Sequence, residues 1–194
     1  MPEDHFGEEI AANYDESAAD WFRSDALDPT VDFLAELAGD GAALELGIGT
    51  GRVALPLAAK GISVHGIDLS SAMVARLRTK PGGDAIAVVI GDFATTRVPG
   101  KFSLAYLVFS TITNLTTQDE QAACFANVAE HLEPGGRFVI ETGFPARYLR
   151  QPGETFLPFT VTPTRLGFDE YDVVTQTSTS HHYRVADGEL AVWS

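Results

Sequence analysis

The sequence contains a single cysteine, Cys124, and lacks long apolar runs. One cysteine cannot form an internal disulfide, and no metal-ligand spacing surrounds it, so we expect a buried small apolar residue there. A membrane span needs about 18 consecutive apolar residues, and none are present. The start, MPEDHFGEEI, is acidic where a secretory signal would be basic and then apolar. These absences predict a cytoplasmic protein with no membrane contact.

Basic residues are also few. There are 13 Lys and Arg against 27 Asp and Glu, which gives a formal net charge of −14. A surface of this charge repels polyanions, so nucleic acid is not expected as a partner. The same charge is equally consistent with an ordinary solvated surface that carries no functional message. A length of 194 residues with 45% apolar composition suits one domain with a sizeable core.

Short apolar runs alternate with helix-period segments from residue 42 onward. This alternation is typical of a mostly parallel sheet with crossover helices. The predicted strands are 42–46, 62–67, 85–90, 102–109 and 136–142. We expect the helix before the first strand to begin at Asp28 and Pro29 and to bury Phe33 and Leu34.

Two later helices carry capping signals. Ser70 is predicted to cap a helix that buries Met73, and Thr117 begins a capping box completed by Glu120. The second of these helices is expected to bury Phe125. Pro56 lies inside the helix expected after residue 51, where we predict a tolerable kink near the helix start.

The pattern changes after residue 142. Prolines and glycines between 143 and 158 predict an irregular segment. Segments 171–185 and 189–194 then predict an antiparallel hairpin with its turn at 186–188. We expect this hairpin to be an appendage of the parallel sheet, because it is too small to bury a core alone.

Three glycines follow the first predicted strand, in the stretch ALELGIGTGR at 43–52. A strand, a glycine turn and a helix bring backbone N–H groups together around an anion. Arg52 stands where a dinucleotide fingerprint requires its third glycine, and the Gly-Lys-Ser/Thr of a phosphate-binding P-loop is absent. A nicotinamide-dependent oxidoreductase is therefore a disfavoured alternative.

The segment ELGIGTG resembles motif I of the class I S-adenosylmethionine-dependent methyltransferases. The resemblance continues in VHGIDLS, VVIGDF, LVFSTITNL and HLEPGGRFVIE. It implies a Rossmann-like, doubly wound, mostly parallel sheet with an N-terminal helical lid. It also implies methyl transfer from S-adenosyl-L-methionine to a small-molecule acceptor. Features at strand ends match the general position of ligand sites in open α/β sheets.

The resemblance further implies a set of cofactor-binding residues contributed by the N-terminal segment and by the ends of the strands. These are Tyr14, Glu45, Leu46, Gly47, Gly49, Thr50, Gly51, Arg52, Asp68, Leu69, Met73, Gly91, Asp92, Phe93, Phe109 and Ser110.

Several of these positions have alternatives. Asp68 is expected to accept hydrogen bonds from the ribose hydroxyls. Asp92 resembles the acid that binds the adenine amine beside Phe93, but Gly-Asp is also ordinary turn chemistry. Arg52 would bind the cofactor carboxylate or form a surface ion pair.

The remaining alternatives concern the interior and the N-terminal segment. Glu45 would order the loop or contact the ligand, because a buried acid needs a partner. Met73 would be core or a cofactor contact. Tyr14, in NYDESAADWF, resembles a lid residue that contacts cofactor or substrate, or is an ordinary aromatic of an amphipathic helix. Trp21 and Phe22 are expected in the core.

His181 and His182 are the only dense histidine signal. Strand alternation points them to opposite faces, so at most one faces an active site. His181 is the candidate general base for the acceptor, against the alternative of a surface histidine.

The domain prediction is a helical lid over 1–40, an adenosylmethionine-binding core over 41–143, and an irregular segment with a hairpin over 144–194. The family normally adds two further strands, for which we find no segment. Either the hairpin takes over the sheet edge or the chain is truncated, and we favour truncation. Open edges would invite pairing as a homodimer, and a non-catalytic cofactor-binding module is an alternative function.

Overall fold

The computed structural model describes residues 6–17, 19, 23–143, 154–186 and 189–193. The chain divides into two compact units, Met1–Thr142 and Gly143–Ser194. The predictions for Trp21, Phe22, the turn residues 187 and 188, and the irregular segment at 144–153 lie outside the described residues. The predicted three-part domain division stays a prediction.

The first unit alternates helices and parallel strands. Its elements in chain order are α1 (Glu8–Ser17), α2 (Ser24–Ala38), β1 (Ala43–Leu46), α3 (Ala54–Ala59), β2 (Val64–Asp68), α4 (Ser71–Arg78), β3 (Ala87–Ile90), β4 (Phe102–Leu107), α5 (Gln118–His131) and β5 (Leu132–Ile140). All five predicted strands are present, and the predicted mostly parallel, Rossmann-like architecture is confirmed.

The five strands form one parallel sheet in the order β3-β2-β1-β4-β5. The order reverses direction between β1 and β4, so their carboxyl ends border the crevice where open sheets of this kind bind ligands. Side chains of β1 alternate between two cores: Ala43 faces the core containing α2 and α3, and Leu44 faces the core containing α5. Burial on both faces explains the continuous apolar runs of the central strands.

Helix α2 differs from its prediction. It begins at Ser24, so Pro29 lies inside it, and Phe33 is 53% exposed. The buried stripe instead joins Leu27, Val31 and Leu34, a helical spacing that starts before the proline. The predicted burial of Leu34 is confirmed, whereas the predicted helix start and the burial of Phe33 were wrong.

Helix α3 begins at Ala54, so Pro56 is its third residue. The N–H groups of Leu55 and Leu57 donate to the carbonyls of Gly51 and Val53, so the proline, which has no N–H, interrupts this series of hydrogen bonds at the Arg52 carbonyl. The interruption lies near the helix start, and the kink expected there stays a prediction.

Both predicted caps are confirmed. The Ser70 hydroxyl accepts from the Met73 N–H at the start of α4, and Thr117 and Glu120 form the reciprocal capping box of α5. Cys124 is fully buried, as predicted. Phe125, predicted in the core, is 49% exposed, because the buried face of α5 follows Cys124, Asn127, Val128 and His131.

The second unit is an antiparallel sheet of four strands in sequential order: β6 (Phe156–Val161), β7 (Arg165–Asp172), β8 (Thr177–Ala186) and β9 (Glu189–Trp193). The predicted pairing of the last two segments is present as β8 and β9. The single strand predicted over 171–185 is interrupted, because Asp172 accepts the N–H groups of Val174 and Thr175 and Gln176 adopts φ 57°. In the ranges that the structure describes, no helix is long and apolar enough to cross a membrane.

Candidate cofactor site

The loop after β1 has a backbone that only glycine adopts readily. Gly47, Gly49 and Gly51 have φ values of 69°, 55° and 82°, in the left-handed region. A Cβ at Gly47 would lie 2.7 Å from Thr111 Cγ2, which is below any normal contact. The loop therefore needs glycine for both conformation and space.

Asp68, at the end of β2, fastens this loop. Its Oδ2 accepts from the Gly49 N–H at 2.6 Å, and its Oδ1 accepts from the Ser70 N–H at 2.8 Å. The carboxylate thus joins the end of β2 to both the glycine loop and the start of α4.

Glu45 lies in the middle of the site and is 4% exposed. The Tyr106 hydroxyl donates to its Oε2 at 2.9 Å. Burial raises the pKa of the Glu45 carboxyl to about 8, although the Tyr106 hydrogen bond and the Arg52 charge oppose the rise. Tyr106 was missed in the sequence because a tyrosine in an apolar strand carries no signal of its partner.

The end of β3 is tied to the end of β2. The Gly91 N–H donates to the Asp68 carbonyl at 2.8 Å, and Asp92 Oδ1 accepts from the Ala94 N–H at 2.8 Å. Phe93 is buried beside the half-buried Asp92. A carboxylate thus lies next to an apolar side chain. This pair could bind an aromatic ring that carries an amino group, with the carboxylate accepting from the amine and Phe93 contacting the ring.

Two buried residues of α5, absent from the predicted site, hold the loop after Asp92. Asn127 Nδ2 donates to the carbonyls of Phe93 and Thr96 at 2.8 and 2.9 Å. His131 Nε2 accepts from the Val98 N–H at 2.9 Å, so its Nδ1 carries the proton donated to the Asn127 carbonyl. Asn127 and His131 of α5 therefore hold the loop after Asp92 in place through its backbone.

The end of β4 lies beside the glycine loop. Phe109 and Ser110 have φ values of 61° and 55°, an uncommon backbone for residues other than glycine. Glu141 stabilises it by accepting the Phe109 N–H at 2.8 Å. The Arg52 guanidinium lies 4.5 Å from the Phe109 ring centroid, a cation–π contact.

Helix α1 supplies Tyr14. The phenol is half-buried, and burial raises its pKa, opposed by Arg52 and assisted by Asp15, Asp68 and Glu45. The charges acting on Tyr14 are thus mainly those of predicted site residues. The structure brings Tyr14 to the glycine loop.

The other predicted contacts are mostly buried around the same loop. Leu46 and Thr50 are 1% exposed and Met73 is 4% exposed, with Met73 Cε 3.5 Å from the position of a Cβ on Gly49. Leu69 is half-buried after Asp68. Met73 therefore packs against the loop, and a cofactor contact by it stays a prediction.

His181 belongs to β8 in the second unit. Its Nε2 lies 2.9 Å from Glu170 Oε2 on β7, and its ring lies 5.0 Å from the Phe168 ring. His182 contacts Phe159 on the other face, so the predicted division of the two histidines between faces is confirmed. Glu170 was missed because its pairing depends on the β7–β8 register.

The fold and the site define a class. The sheet is parallel, a glycine loop follows β1, and acids lie at or near the carboxyl ends of β1, β2 and β3. The strand order reverses beside them. This is the arrangement of an α/β protein that binds an adenosyl cofactor. The residues present fit such a cofactor, because acceptors for hydroxyls and an amine, a cation for a carboxylate and an apolar wall all adjoin the glycine backbone.

Comparisons with known proteins agree with this class. A family described as a methyltransferase domain matches residues 43–136. The structure of the CcbJ methyltransferase from Streptomyces caelestis is 34% identical, with a TM-score of 0.80, over 96% of this chain and 78% of that one. The chain belongs to the S-adenosylmethionine-dependent methyltransferase family.

Curated relatives match over shorter regions. The cypemycin N-terminal methyltransferase of a Streptomyces species is 31% identical over 135 residues, which is 70% of this chain and 54% of that protein. A dTDP-3-amino-3,4,6-trideoxy-α-D-glucopyranose N,N-dimethyltransferase of Streptomyces venezuelae is 37% identical over 39% of this chain and 31% of that protein. The chain thus spans about half or less of the curated relatives it matches.

Proposed function

We propose that this protein binds S-adenosyl-L-methionine and transfers its methyl group to a small-molecule amine. The observation that carries the proposal is the placement of Asp68 at the carboxyl end of β2, where its two oxygens accept from the backbone of the glycine loop and of the start of α4. The amine acceptor is favoured because the names of two curated relatives describe N-methylation.

In this proposal the chain's own residues bind and orient. Asp68 accepts from the ribose hydroxyls, Asp92 and Phe93 hold the adenine, and Arg52 pairs with the amino-acid carboxylate. The bound cofactor supplies a sulfonium methyl that is already activated toward nucleophiles. Alignment and water exclusion are then the main tasks of the protein.

An amine acceptor that binds in its ammonium form must lose a proton to expose the nitrogen lone pair. We assign this proton to His181. The Glu170 carboxylate 2.9 Å from Nε2 would orient the ring. The imidazole would take up the acceptor's proton and release it to solvent, while the bound cofactor would supply the methyl group.

Titration calorimetry with S-adenosylhomocysteine tests the cofactor assignment. Wild type is expected to bind, and Asp68→Asn to bind at least about tenfold more weakly, because the amide presents an N–H to one of two backbone donors. Asp84→Asn, an exposed acid in a short turn, is the matched control. Preference for NADH would instead support an oxidoreductase.

Methylation of a panel of small amines tests the rest. His181→Ala is expected to lower kcat about a hundredfold, and His182→Ala, its neighbour on the opposite face, to leave it near wild type. Equal effects of the two changes would remove His181 as the base. Binding without turnover of any acceptor would support a non-catalytic module.

We also propose a homodimer. One face of the antiparallel sheet exposes large apolar side chains of all four strands, each at least 40% exposed: Phe156, Leu166, Val185, Leu190 and Val192. Contiguous apolar surface of this kind marks interaction sites.

A further inference from the structure

Helix α1 is fastened to the glycine loop through one acid. Asp15 Oδ1 accepts from the Thr50 hydroxyl at 2.6 Å, and Asp15 Oδ2 lies 2.6 Å from Lys80 Nζ. Lys80 Nζ also donates to the Thr50 carbonyl at 2.8 Å. The three residues close a ring of contacts between α1, the glycine loop and the end of α4.

The ring is shielded compared with other ion pairs. The Lys80 and Asp15 side chains are 23% and 34% exposed, whereas those of the Lys60–Asp32 pair are 45% and 65% exposed. Thr50 is 1% exposed. Because water screens a half-buried pair less, its contribution exceeds that of an ordinary surface pair.

Further hydrogen bonds join the N-terminal segment to α4 and its N-cap. The Ser70 hydroxyl donates to the Phe6 carbonyl at 2.6 Å, and Arg76 donates to the Ala12 carbonyl at 3.2 Å. Phe6 packs edge-on against Tyr14, with ring centroids 6.2 Å apart. Asp15 directly follows Tyr14, so fixing Asp15 fixes the aromatic residue that α1 presents to the site.

We propose that Asp15, Lys80 and Thr50 form a latch that sets the rate at which the adenosyl cofactor enters and leaves. The inference rests on the proposed cofactor binding. To move α1 away from the glycine loop, the chain must break the ion pair between Asp15 and Lys80 and the hydrogen bond from the Thr50 hydroxyl to Asp15. Asp15 and Lys80 are thus positioning residues that act through Thr50 and Tyr14.

Dissociation of S-adenosylhomocysteine from the immobilised full chain, measured on a biosensor, tests the latch. Asp15→Asn keeps an oxygen for Thr50 but loses the charge, and Lys80→Met removes the ammonium. Each is expected to raise the dissociation rate constant about three- to tenfold, the range of a partly buried ion pair. The double variant should equal a single one, because the two residues act as one unit.

Two variants serve as controls. Lys80→Arg should retain most of the wild-type rate, and Lys60→Met, which removes the exposed pair with Asp32 on α2, should leave the rate unchanged. Hydrogen exchange gives an independent readout, since amides of α1 should exchange faster in Asp15→Asn while those of α5 do not.

The two failures are separable. If wild type binds no S-adenosylhomocysteine, the proposed function fails. If wild type binds but Asp15→Asn and Lys80→Met dissociate at the wild-type rate, or Lys60→Met accelerates dissociation equally, the latch is overturned and the cofactor assignment stands.

Discussion

At the scale of single residues, the buried Glu45 carboxyl lowers the free energy of unfolding of the protein. Its carboxyl is 4% exposed and accepts hydrogen bonds from the Tyr106 hydroxyl and the Ala54 N–H, but burial outweighs these partners and raises its pKa to about 8. Ionisation of this buried carboxyl therefore lowers the stability of the fold.

The raised pKa of Glu45 predicts a pH dependence of stability. Between about pH 4.5 and 8, the folded state holds a proton that the unfolded state has lost, so the free energy of unfolding falls as pH rises. Each pKa unit corresponds to about 1.4 kcal/mol. Glu45→Gln, which keeps an oxygen for Tyr106, should remove this loss and exceed wild-type stability above pH 8 by on the order of a few kcal/mol.

Urea unfolding from pH 5 to 8.5 measures this effect. Glu36→Gln, an exposed acid on α2, should keep the wild-type slope. A Glu45→Gln variant whose stability declines with pH as steeply as wild type would show that Glu45 is ionised in the folded protein.

The site acids illustrate which residues a sequence reveals. Asp68 and Asp92 were predicted from the resemblance of VHGIDLS and VVIGDF to the methyltransferase motifs, and the structure places them at or just after the ends of β2 and β3. The partners of Glu45 and Thr50 were not predicted, because Tyr106 lies 61 residues from Glu45 and Asp15 lies 35 residues from Thr50. Such contacts depend on the three-dimensional arrangement.

At the scale of elements, α5 acts as more than a cover for the sheet. Asn127 donates both of its described hydrogen bonds to carbonyls of the loop after Asp92, and His131 accepts from Val98. The polar stripe of this helix fixes a loop that backs the proposed adenine position.

Removal of the Asn127 amide should therefore affect both stability and ligand binding. Asn127→Ala leaves the buried carbonyls of Phe93 and Thr96 without this donor and is expected to destabilise the fold by about 2 to 3 kcal/mol. Affinity for S-adenosylhomocysteine should also fall at temperatures where the variant remains folded. Thermal unfolding and calorimetry measure the two effects.

Asn114→Ala, an exposed asparagine in the turn before α5, is the control and should match wild type. If Asn127→Ala loses stability but keeps its affinity for S-adenosylhomocysteine, the loop after Asp92 does not contribute to ligand binding.

Features of the helices were likewise predictable only where they depend on residues close together in the sequence. The caps at Ser70 and Thr117 were predictable because a cap depends on three or four neighbouring residues. The buried faces of α2 and α5 were not, and Phe33 and Phe125 proved exposed. Which stripe a helix buries depends on the elements against which it packs.

At the scale of the whole molecule, the two units differ in how much they bury. The first has two apolar cores, one on each face of its sheet. The second, among its described side chains, has Tyr171 as its one buried large residue, and its four strands were predicted as only two. Its weak burial pattern explains both facts, because strand prediction relies on alternation between a buried and an exposed face.

The exposed apolar face of the second sheet predicts self-association. Val192 lies opposite Tyr183, and Leu190 lies opposite Val185, so these residues share one face. Val192→Glu places a charge in that face and should convert a dimer to a monomer, because an unpaired carboxylate resists burial. Light scattering after size exclusion measures the mass directly.

Ala191→Glu is the matched control, since it adds the same charge to the same strand on the opposite face. It should leave the dimer intact. A net charge of −14 on each chain opposes association, so added salt should strengthen the wild-type dimer by screening that repulsion. If wild type is a monomer at all salt concentrations, or if both glutamate variants dissociate it equally, this face does not pair two copies of the chain.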